Sequence, residues 1–319
     1  MSSLFSITDA VTPSVAVEIG AGRISGAAVE RRGRQPVIGS HAVEPLPAGA
    51  LVPSLTAANV VDRASVMTAL NRVMERVGRP GRLALVIPDV VARVSLVRFE
   101  KVPARAADLD QLIRWQVRKT APFPLEDAQV SYARGIRSEE GQEFVVSVAR
   151  RAVIEEYETL CTEAGAHAGI VDLSTIGVVN ALLAGGAAPA GDWLVINIAA
   201  DSASIAIMRG ADLIFFRNRS ADAETSALEL MHQTAVYYED RLQGTGFSRA
   251  FAAGTSYAGA DADAVRRGIE ERIGTAIETV DPRQIATMTD RITAAPALLD
   301  AMTPLVGLLL RDEPEGARV

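Results

Sequence analysis

The sequence of 319 residues predicts an α/β fold in which one structural unit occurs twice. Residues 15–30 read as a strand, a turn that contains Gly20 and Gly22, and a second strand, which is the pattern of a β-hairpin. A similar pattern returns 179 residues later along the chain. After each hairpin the chain alternates between amphipathic helical segments and short apolar strands, which is typical of α/β folds.

The two copies align at a constant offset, with residues 15–39 against residues 194–218. We expect all three strands of each copy to stay in register without a gap, as in a duplicated unit. The offset by itself leaves open that two unrelated domains share short hairpins. The aligned positions include Glu18 with Asn197, Gly20 with Ala199, and Ala21-Gly22-Arg23 with Ala200-Asp201-Ser202.

The first half is predicted to continue as a regular alternation of strands and helices. A third strand, residues 36–43, completes a meander with the hairpin. Residues 62–77 read as a helix with Asp62 as its N-cap, and residues 82–88 read as a strand buried on both faces. The other predicted elements of this half are strands 94–99, 128–136 and 143–148 and helices 108–119, 153–164 and 176–183.

Residues 184–191 are rich in Ala, Gly and Pro and predict a linker between two domains. The chain would then divide into a flexible tail (1–13), a first half (14–183), this linker, a second half (192–311) and a second tail (312–319). The predicted elements of the second half are strands 193–198, 204–208, 213–217, 250–253 and 275–280 and helices 221–242, 261–273 and 298–310.

The composition excludes several classes of function. A net charge of −7 and a pI near 5.2 argue against nucleic acid as the main partner, because phosphate backbones are bound through excess Lys and Arg. The single cysteine, Cys161, cannot form an internal disulfide, and the three histidines have no metal-ligand spacing. We expect Cys161 to be a core residue on the apolar face of its helix.

The sequence also predicts a cytoplasmic protein. Residues 1–13 have neither the basic region nor the apolar region of a signal peptide. The most apolar late stretch, residues 294–310, is interrupted by Pro296, Asp300 and Pro304 and is too short to span a bilayer comfortably. We therefore expect no direct membrane insertion, and attachment to a membrane would need a partner.

An ordered set of short segments resembles the PilM family of type IV pilus assembly proteins and, more distantly, FtsA, within the actin-like superfamily. The resemblance implies a duplicated actin-like (ribonuclease H-like) fold with a small subdomain inserted in the first half, at about residues 90–165. The segments include Val17-Glu18-Ile19-Gly20, Pro122-Phe123-Pro124, Ala164-Gly165-Ala166, Val171-Asp172-Leu173 and Ala253-Gly254.

In this fold the two hairpin turns face each other across a cleft, where backbone N–H groups can hold phosphate and carboxylates can hold magnesium. The resemblance therefore implies Glu18 as a magnesium ligand and Arg23 as a substitute for the family's phosphate-binding Lys. The predicted nucleotide contacts are Gly20, Gly22, Arg23, Asn197, Asp201, Ser202 and Gly254.

The chain departs from the family at this cleft. Glu18 and Asn197 stand where the family has Asp, and Ala199 stands where it has Gly. Asn lacks the charge on which a metal site depends, and the Cβ of Ala199 lies where backbone should approach phosphate. Such losses are worth a few kcal/mol each, so we expect degenerate nucleotide binding and no bound cofactor, although Mg-ATP is not excluded.

A second departure concerns length. Family members carry an inserted small subdomain after the third strand of the second unit, whereas here residues 217–251 have room for about one helix. We therefore expect this subdomain, which covers the base and ribose of a nucleotide in this fold, to be missing or reduced.

The function implied by the resemblance is that of an adaptor without catalytic residues. A PilM-like protein binds the cytoplasmic N-terminal peptide of PilN, a bitopic inner-membrane protein, and contacts other components of the pilus platform. We place the peptide groove near residues 90–99 and the facing surface of the first unit, where an extended peptide can add as a strand. A homo-oligomer is left open.

Two enzymatic alternatives also stay open. One is an active actin-like ATPase, whether filament-forming or FtsA-like, and the other is an actin-fold kinase for a small molecule. The kinase needs a general base near the phosphates, for which Asp89 is the obvious candidate. We expect Asp89 instead to be a solvated turn residue.

Overall fold

The structure is a computed structural model that describes residues 13–32, 35–186, 189–220, 227–255, 262–288 and 295–311. Both predicted tails, except for Pro13, lie outside these residues. So do residues 221–226 of the predicted long helix and residues 187–188 of the predicted linker.

The described residues form strands and helices in close alternation. The strands are β1 (Val15–Ile19), β2 (Arg23–Arg32), β3 (Gln35–Pro45), β4 (Arg82–Ile87), β5 (Ala92–Phe99), β6 (Ala128–Ser138), β7 (Gly141–Arg150), β8 (His167–Leu173), β9 (Asp192–Ile198), β10 (Ser202–Arg209), β11 (Asp212–Ser220), β12 (Arg249–Ala253), β13 (Ile277–Thr279) and β14 (Thr287–Met288). The helices are α1 (Arg63–Arg76), α2 (Ala106–Val117), α3 (Arg151–Glu163), α4 (Ser174–Ala184), α5 (Ala227–Arg241), α6 (Ala262–Ile273) and α7 (Pro296–Leu310).

Two of the sheets share one strand order. The first has the order β14-β3-β2-β1-β4-β8, and the second has the order β11-β10-β9-β12-β13. In each sheet an antiparallel meander of three strands is followed by two strands that run parallel to the first strand of the meander. This shared order confirms that the chain contains a duplicated unit.

The first hairpins of the two units match residue by residue at the predicted offset. Glu18 lies opposite Ser25 in the first unit, and the aligned Asn197 lies opposite Ser204 in the second. The turns also close in the same way. The amide of Gly20 donates to the carbonyl of Arg23 at 3.0 Å, and the aligned amide of Ala199 donates to that of Ser202 at 2.8 Å.

The third strands do not keep this offset, so the expectation of an ungapped repeat was wrong there. Gly26 lies opposite Ala42 in the first unit. In the second unit the aligned Ile205 lies opposite Arg217. The constant offset aligns Arg217 with Ile38, and not with Ala42, so the two third strands are shifted relative to each other. The physical reason is the length of the hairpin, because β2 and β3 continue beyond the point at which β10 turns into β11.

The inserted part of the first unit has a hydrophobic core of its own. Its three-stranded sheet, in the order β5-β7-β6, packs with α2 around Ile113, Phe144 and Val146. The buried residues of α3, including Tyr157 and Cys161, belong instead to the large core of the molecule. Cys161 is thus the core residue that the sequence predicted, and burial raises the pKa of its thiol to about 12.

The units are joined by helices that cross at close range. A Cβ added to Gly307 of α7 would lie 1.8 Å from the carbonyl oxygen of Gly177 in α4. Residues of α7 such as Leu305 and Val306 then pack on Ala16 and Ala84 of the first sheet. The C-terminal helix therefore completes the core of the first unit, although it follows the second in sequence. Within the described ranges, no helix has both the length and the apolar character needed to cross a membrane.

Most predicted elements are present, within a few residues of their expected bounds. The N-cap of α1 is Asp62, whose Oδ1 accepts a hydrogen bond from the amide of Ser65 at 3.1 Å. Two strands, β8 and β14, were not predicted. β8 contains Gly169, which weakens the strand pattern, and it forms because its backbone pairs with β4.

Between β11 and β12 the described residues contain one helix, α5. The absence of the second small subdomain and the boundaries of the domains stay predictions.

Candidate functional site

A narrow cleft lies between the two hairpin turns, and residues of both units line its volume of about 30 Å³. Glu18, the predicted magnesium ligand, lines this cleft. Every residue predicted to contact a nucleotide also lines it, namely Gly20, Gly22, Arg23, Asn197, Asp201, Ser202 and Gly254. The structure brings these positions together, and binding of a ligand by them stays a prediction.

The carboxylate of Glu18 is engaged by two hydroxyl groups of the protein. Its Oε2 accepts a hydrogen bond from Oγ of Ser25 at 3.1 Å, across the β1–β2 pair. Its Oε1 accepts from Oγ of Ser174, the first residue of α4, at 2.9 Å. With only 9% of the residue exposed, Glu18 is a buried acceptor whose two oxygens both have partners.

Asn197 extends this contact to the second unit. Its Nδ2 donates to Oγ of Ser174 at 3.3 Å and to Oγ1 of Thr175 at 3.1 Å. Ser174 therefore joins Glu18 of β1 to Asn197 of β9. A carboxylate at position 197 could not donate these hydrogen bonds, so the amide is suited to this bridge.

Asp89 lies at the centre of the same network and is 4% exposed. Its Oδ1 accepts from the amide of Thr175 at 3.0 Å. Its Oδ2 accepts from the hydroxyl of Thr175 and from Oγ of Ser204 at 2.7 Å. Burial raises the pKa of Asp89, and these hydrogen bonds oppose the rise. The interpretation of Asp89 as a solvated turn residue was therefore wrong.

Backbone contacts of Asp89 add a further link between the units. Nδ2 of Asn218, in β11, donates to the carbonyl oxygen of Asp89 at 2.6 Å. The side chains of Glu18, Asp89, Ser174, Thr175, Asn197 and Ser204 are called the cross-unit network below.

Gly254 closes the cleft from the second unit, and its position requires glycine. Its φ is +71°, and a Cβ there would lie 1.8 Å from the carbonyl oxygen of Ile198. The amide of Gly254 donates to Oδ1 of Asp300 at 3.1 Å, and the hydroxyl of Thr255 donates to Oδ2 at 3.2 Å. Asp300 of α7 thereby takes up the amide of Gly254, one of the predicted nucleotide contacts.

Sequence reasoning missed four residues of this site: Ser174, Thr175, Ser204 and Asp300. Ser204 had a usable signal, because it aligns with Ser25 at the constant offset. Ser174 and Thr175 follow β8, the strand that was not predicted. Asp300 lies in α7, which no sequence pattern links to the cleft.

The residues present do not fit magnesium nucleotide in this arrangement. A cavity of about 30 Å³ has room for one or a few waters, whereas ligand pockets measure hundreds of Å³. The amide of Ala199 is already bonded to Ser202 within the turn. Among the described residues, no group of three His, Cys, Asp or Glu side chains is placed to hold a metal ion.

A larger groove of about 360 Å³ lies on the first unit, between β8 and the inserted sheet. Consecutive residues 168–173 of β8 line one side of it. Among the strands that the structure describes, β8 pairs only with β4 and is thus the edge strand of its sheet. Of residues 90–99, where the sequence analysis placed a partner groove, only Ala92 lines this one.

The opposite side of the groove is one face of the inserted sheet. Gln129, Ala149 and Ala92 lie side by side across β6, β7 and β5, and Ser131 and Ser147 form the next row. Residues of α3 complete the lining. The groove thus has small and polar side chains facing an unpaired strand edge.

Comparisons with known proteins give a family through a family model and a fold through solved structures. A family model described as type IV pilus assembly protein PilM matches residues 16–240. Among solved structures, a PilM-PilN type IV pilus biogenesis complex matches with 16% identity and a TM-score of 0.79, over 95% of this chain and 99% of the other. No curated protein matches the sequence significantly.

A second solved structure is a Bacteroides thetaiotaomicron protein with an actin-like ATPase fold and unknown function. The match covers 83% of this chain and 90% of the Bacteroides chain, with 9% identity and a TM-score of 0.51. At such low identities these likenesses show the fold alone. The chain has the duplicated actin-like fold that the sequence predicted.

Proposed function

The chain belongs to the PilM family of type IV pilus assembly proteins, and we propose that it acts there as an adaptor. In this role it binds the cytoplasmic N-terminal peptide of a PilN-like inner-membrane protein. The partner holds the adaptor at the inner membrane from the cytoplasmic side, where it contacts other components of the pilus platform.

The observation that carries this proposal is the groove beside the free edge of β8. An edge strand has backbone N–H and C=O groups available for pairing, and extended peptides add to such edges. Six consecutive residues, 168–173, line the groove. At about 3.3 Å per residue they match the length of a short extended segment. One solved structure with the same fold is a PilM-PilN complex.

The groove also has room for side chains of a bound peptide. Facing β8 it presents Ser131, Ser147 and Ala149, which are small enough to leave the space of about 360 Å³ open. The sheet that carries them has its own hydrophobic core with α2, so it can act as a firm wall.

Degenerate nucleotide binding is the second part of the proposal. It is supported by the cross-unit network, in which side chains of the protein take up the hydrogen-bonding groups of the cleft. Contacts between the two units, and not a nucleotide, then hold the units of the adaptor together.

The experiment is a fluorescence anisotropy titration of the full chain with a labelled synthetic peptide, the N-terminal cytoplasmic segment of the PilN-like protein from the same source. We expect saturable binding. Ser131→Trp should weaken it at least about tenfold, because the indole fills the groove. Ser138→Trp is the matched control on the same strand, since Ser138 is exposed and does not line the groove.

Absence of binding to the wild-type chain would refute the adaptor function. Binding that Ser131→Trp leaves unchanged, in a variant with a normal circular dichroism spectrum, would refute the assignment of the groove.

A further inference from the structure

We propose that the β8 groove selects an extended peptide with basic side chains two positions apart, which the carboxylates of Glu155 and Glu158 bind. This inference rests on the proposed peptide-binding function and names the chemistry of the peptide.

Glu155 and Glu158 both line the groove from α3. Their spacing of three residues places them on the same side of the helix, with Cβ atoms about 5–6 Å apart. Within the described part of the chain neither carboxylate makes a salt bridge or accepts a side-chain hydrogen bond. Glu155 is exposed and Glu158 is half-buried, so both can meet a ligand in the groove.

The basic side chain that lines the groove does not form a salt bridge with these carboxylates. Arg151 is the only basic residue among the described residues that line it, and its Nη2 donates to the carbonyl oxygen of Ala128 at 3.1 Å. Burial, followed by the charge of Glu155, raises the pKa of Glu158, and His167 opposes part of this rise. The two carboxylates therefore repel each other, with Glu158 partly removed from water, and a cation placed between them relieves that repulsion.

A third carboxyl group lies along the edge strand. Asp172 of β8 lines the groove and is 3% exposed. Its Oδ1 accepts from the amide of Leu173 at 2.8 Å, and its Oδ2 makes no hydrogen bond within the described residues. Burial raises the pKa of Asp172 to about 7 and Arg311 opposes that rise, so the acidic character of the groove at neutral pH comes mainly from Glu155 and Glu158 of α3.

The geometry of an extended peptide fits the two glutamates. Alternate side chains of a strand point to the same side, about 6.6 Å apart. This spacing is close to that of Glu155 and Glu158 on the helix. Cytoplasmic segments of membrane proteins near their spans are enriched in Lys and Arg, so a partner of this class carries suitable side chains.

The test is a selection of random 12-residue peptides displayed on phage, with the full chain as bait. The wild-type protein should enrich peptides with two Lys or Arg residues separated by one position. The variant Glu155→Lys/Glu158→Lys should enrich Asp and Glu at those positions instead. The matched control Glu139→Lys/Glu271→Lys carries the same change of charge at exposed positions outside the groove, and it should select the wild-type motif.

A milder variant tests the same idea without reversing charge. Glu155→Gln/Glu158→Gln keeps the size of both side chains and should bind a selected peptide about tenfold more weakly at low salt. The difference from wild type should shrink in 0.5 M NaCl, because the lost interaction is between charges.

The outcomes separate this inference from the function on which it rests. If the peptides enriched by the wild-type protein and by the Lys variant carry the same charges, the inference is overturned, while peptide binding stands. If the PilN-like peptide fails to bind but basic peptides are selected in the groove, the identity of the partner is wrong and the inference is upheld. If no peptide is selected, the inference is overturned, and the peptide-binding function falls with it only when the PilN-like peptide also fails to bind in the anisotropy titration.

Discussion

Asn197 shows how one side chain changes the character of the cleft. Its amide donates to Ser174 and to Thr175, and these hydroxyls in turn bind Glu18 and Asp89. The residue that we expect to weaken a metal site is therefore the one that links two buried carboxyl groups. The sequence predicted the loss of charge at position 197, but it did not predict the hydrogen bonds that the amide makes.

We predict that Asn197→Asp, which restores the residue of the family, destabilises the protein by about 2–4 kcal/mol. The carboxylate loses two donated hydrogen bonds and adds a negative charge beside the cross-unit network. Urea denaturation at pH 8 measures the change. Asn71→Asp, a half-buried position on α1, is the control and should stay within about 0.5 kcal/mol of wild type. Equal stability of both variants would contradict the role of Asn197 as a donor.

Asp172 gives a prediction about pH. Burial raises its pKa to about 7, and Arg311 opposes part of that rise. The unfolded chain ionises this carboxyl near its ordinary pKa of about 3.9. Between these two values the folded state binds one proton more than the unfolded state, so this residue makes stability fall as pH rises, by up to about 1.4 kcal/mol per pH unit.

We therefore expect Asp172→Asn to gain stability relative to wild type from about pH 4 to about pH 7 and to show no further relative gain above that range. Asn retains the oxygen that accepts from the amide of Leu173. Urea denaturation at several pH values from 4.5 to 8.5 gives the difference directly. A difference that is independent of pH would mean that the carboxyl keeps an ordinary pKa in the folded protein.

At the scale of elements, the crossing of α4 and α7 is decided by two glycines. Gly177 and Gly307 let the backbones approach so closely that no Cβ fits between them. This crossing positions both Ser174, at the start of α4, and Asp300, in α7, beside the cleft. The sequence predicted both helices, but it could not indicate that they meet, because the contact joins segments far apart in the chain.

We predict that Gly307→Ala destabilises the protein by at least about 2 kcal/mol, because the new methyl group would overlap the carbonyl of Gly177. Gly268→Ala in α6 is the matched control. Its Cβ would meet only the end of the Leu228 side chain, at 3.1 Å, so its stability should change by less than about 1 kcal/mol. Thermal and urea unfolding of both variants compare the two glycines. Equal, small effects would show that the crossing can relax.

Among the strands, those with local sequence signals were predicted and those that depend on distant contacts were not. The hairpins at Glu18 and Asn197 were predictable, since alternating apolar residues and turn residues are local signals. The third strands of the two units, β3 and β11, are out of register with the constant offset. This difference was not predictable, because it depends on where the chain turns back between the second and third strands of each unit. β8 was missed for a similar reason, and with it the sequence analysis missed the groove that its free edge forms.

For the whole molecule, the cross-unit network and the packing of α7 on the first sheet hold the two units around a cleft of about 30 Å³. We predict that millimolar Mg-ATP neither releases heat in calorimetry nor raises the melting temperature. A functional site with ligand at a hundred times its Kd would stabilise the fold by about 2.7 kcal/mol, which a thermal shift detects readily. Saturable binding would refute degenerate nucleotide binding and favour the active ATPase.

The sequence by itself determined the duplicated α/β architecture, the resemblance to the PilM family, and those cleft residues that lie in the two hairpin turns and at Gly254. The architecture follows from strand periodicity, turn residues and an offset that holds over the first hairpins, whereas the cleft and its residues are implied by the resemblance to the family. Only the tertiary structure decided that Asp89 is buried, that Ser174 links Glu18 to Asn197, and that β8 has a free edge beside a groove. The reason is physical: a bond such as that between Ser174 and Glu18 joins residues 156 positions apart, and packing of whole elements brings them together.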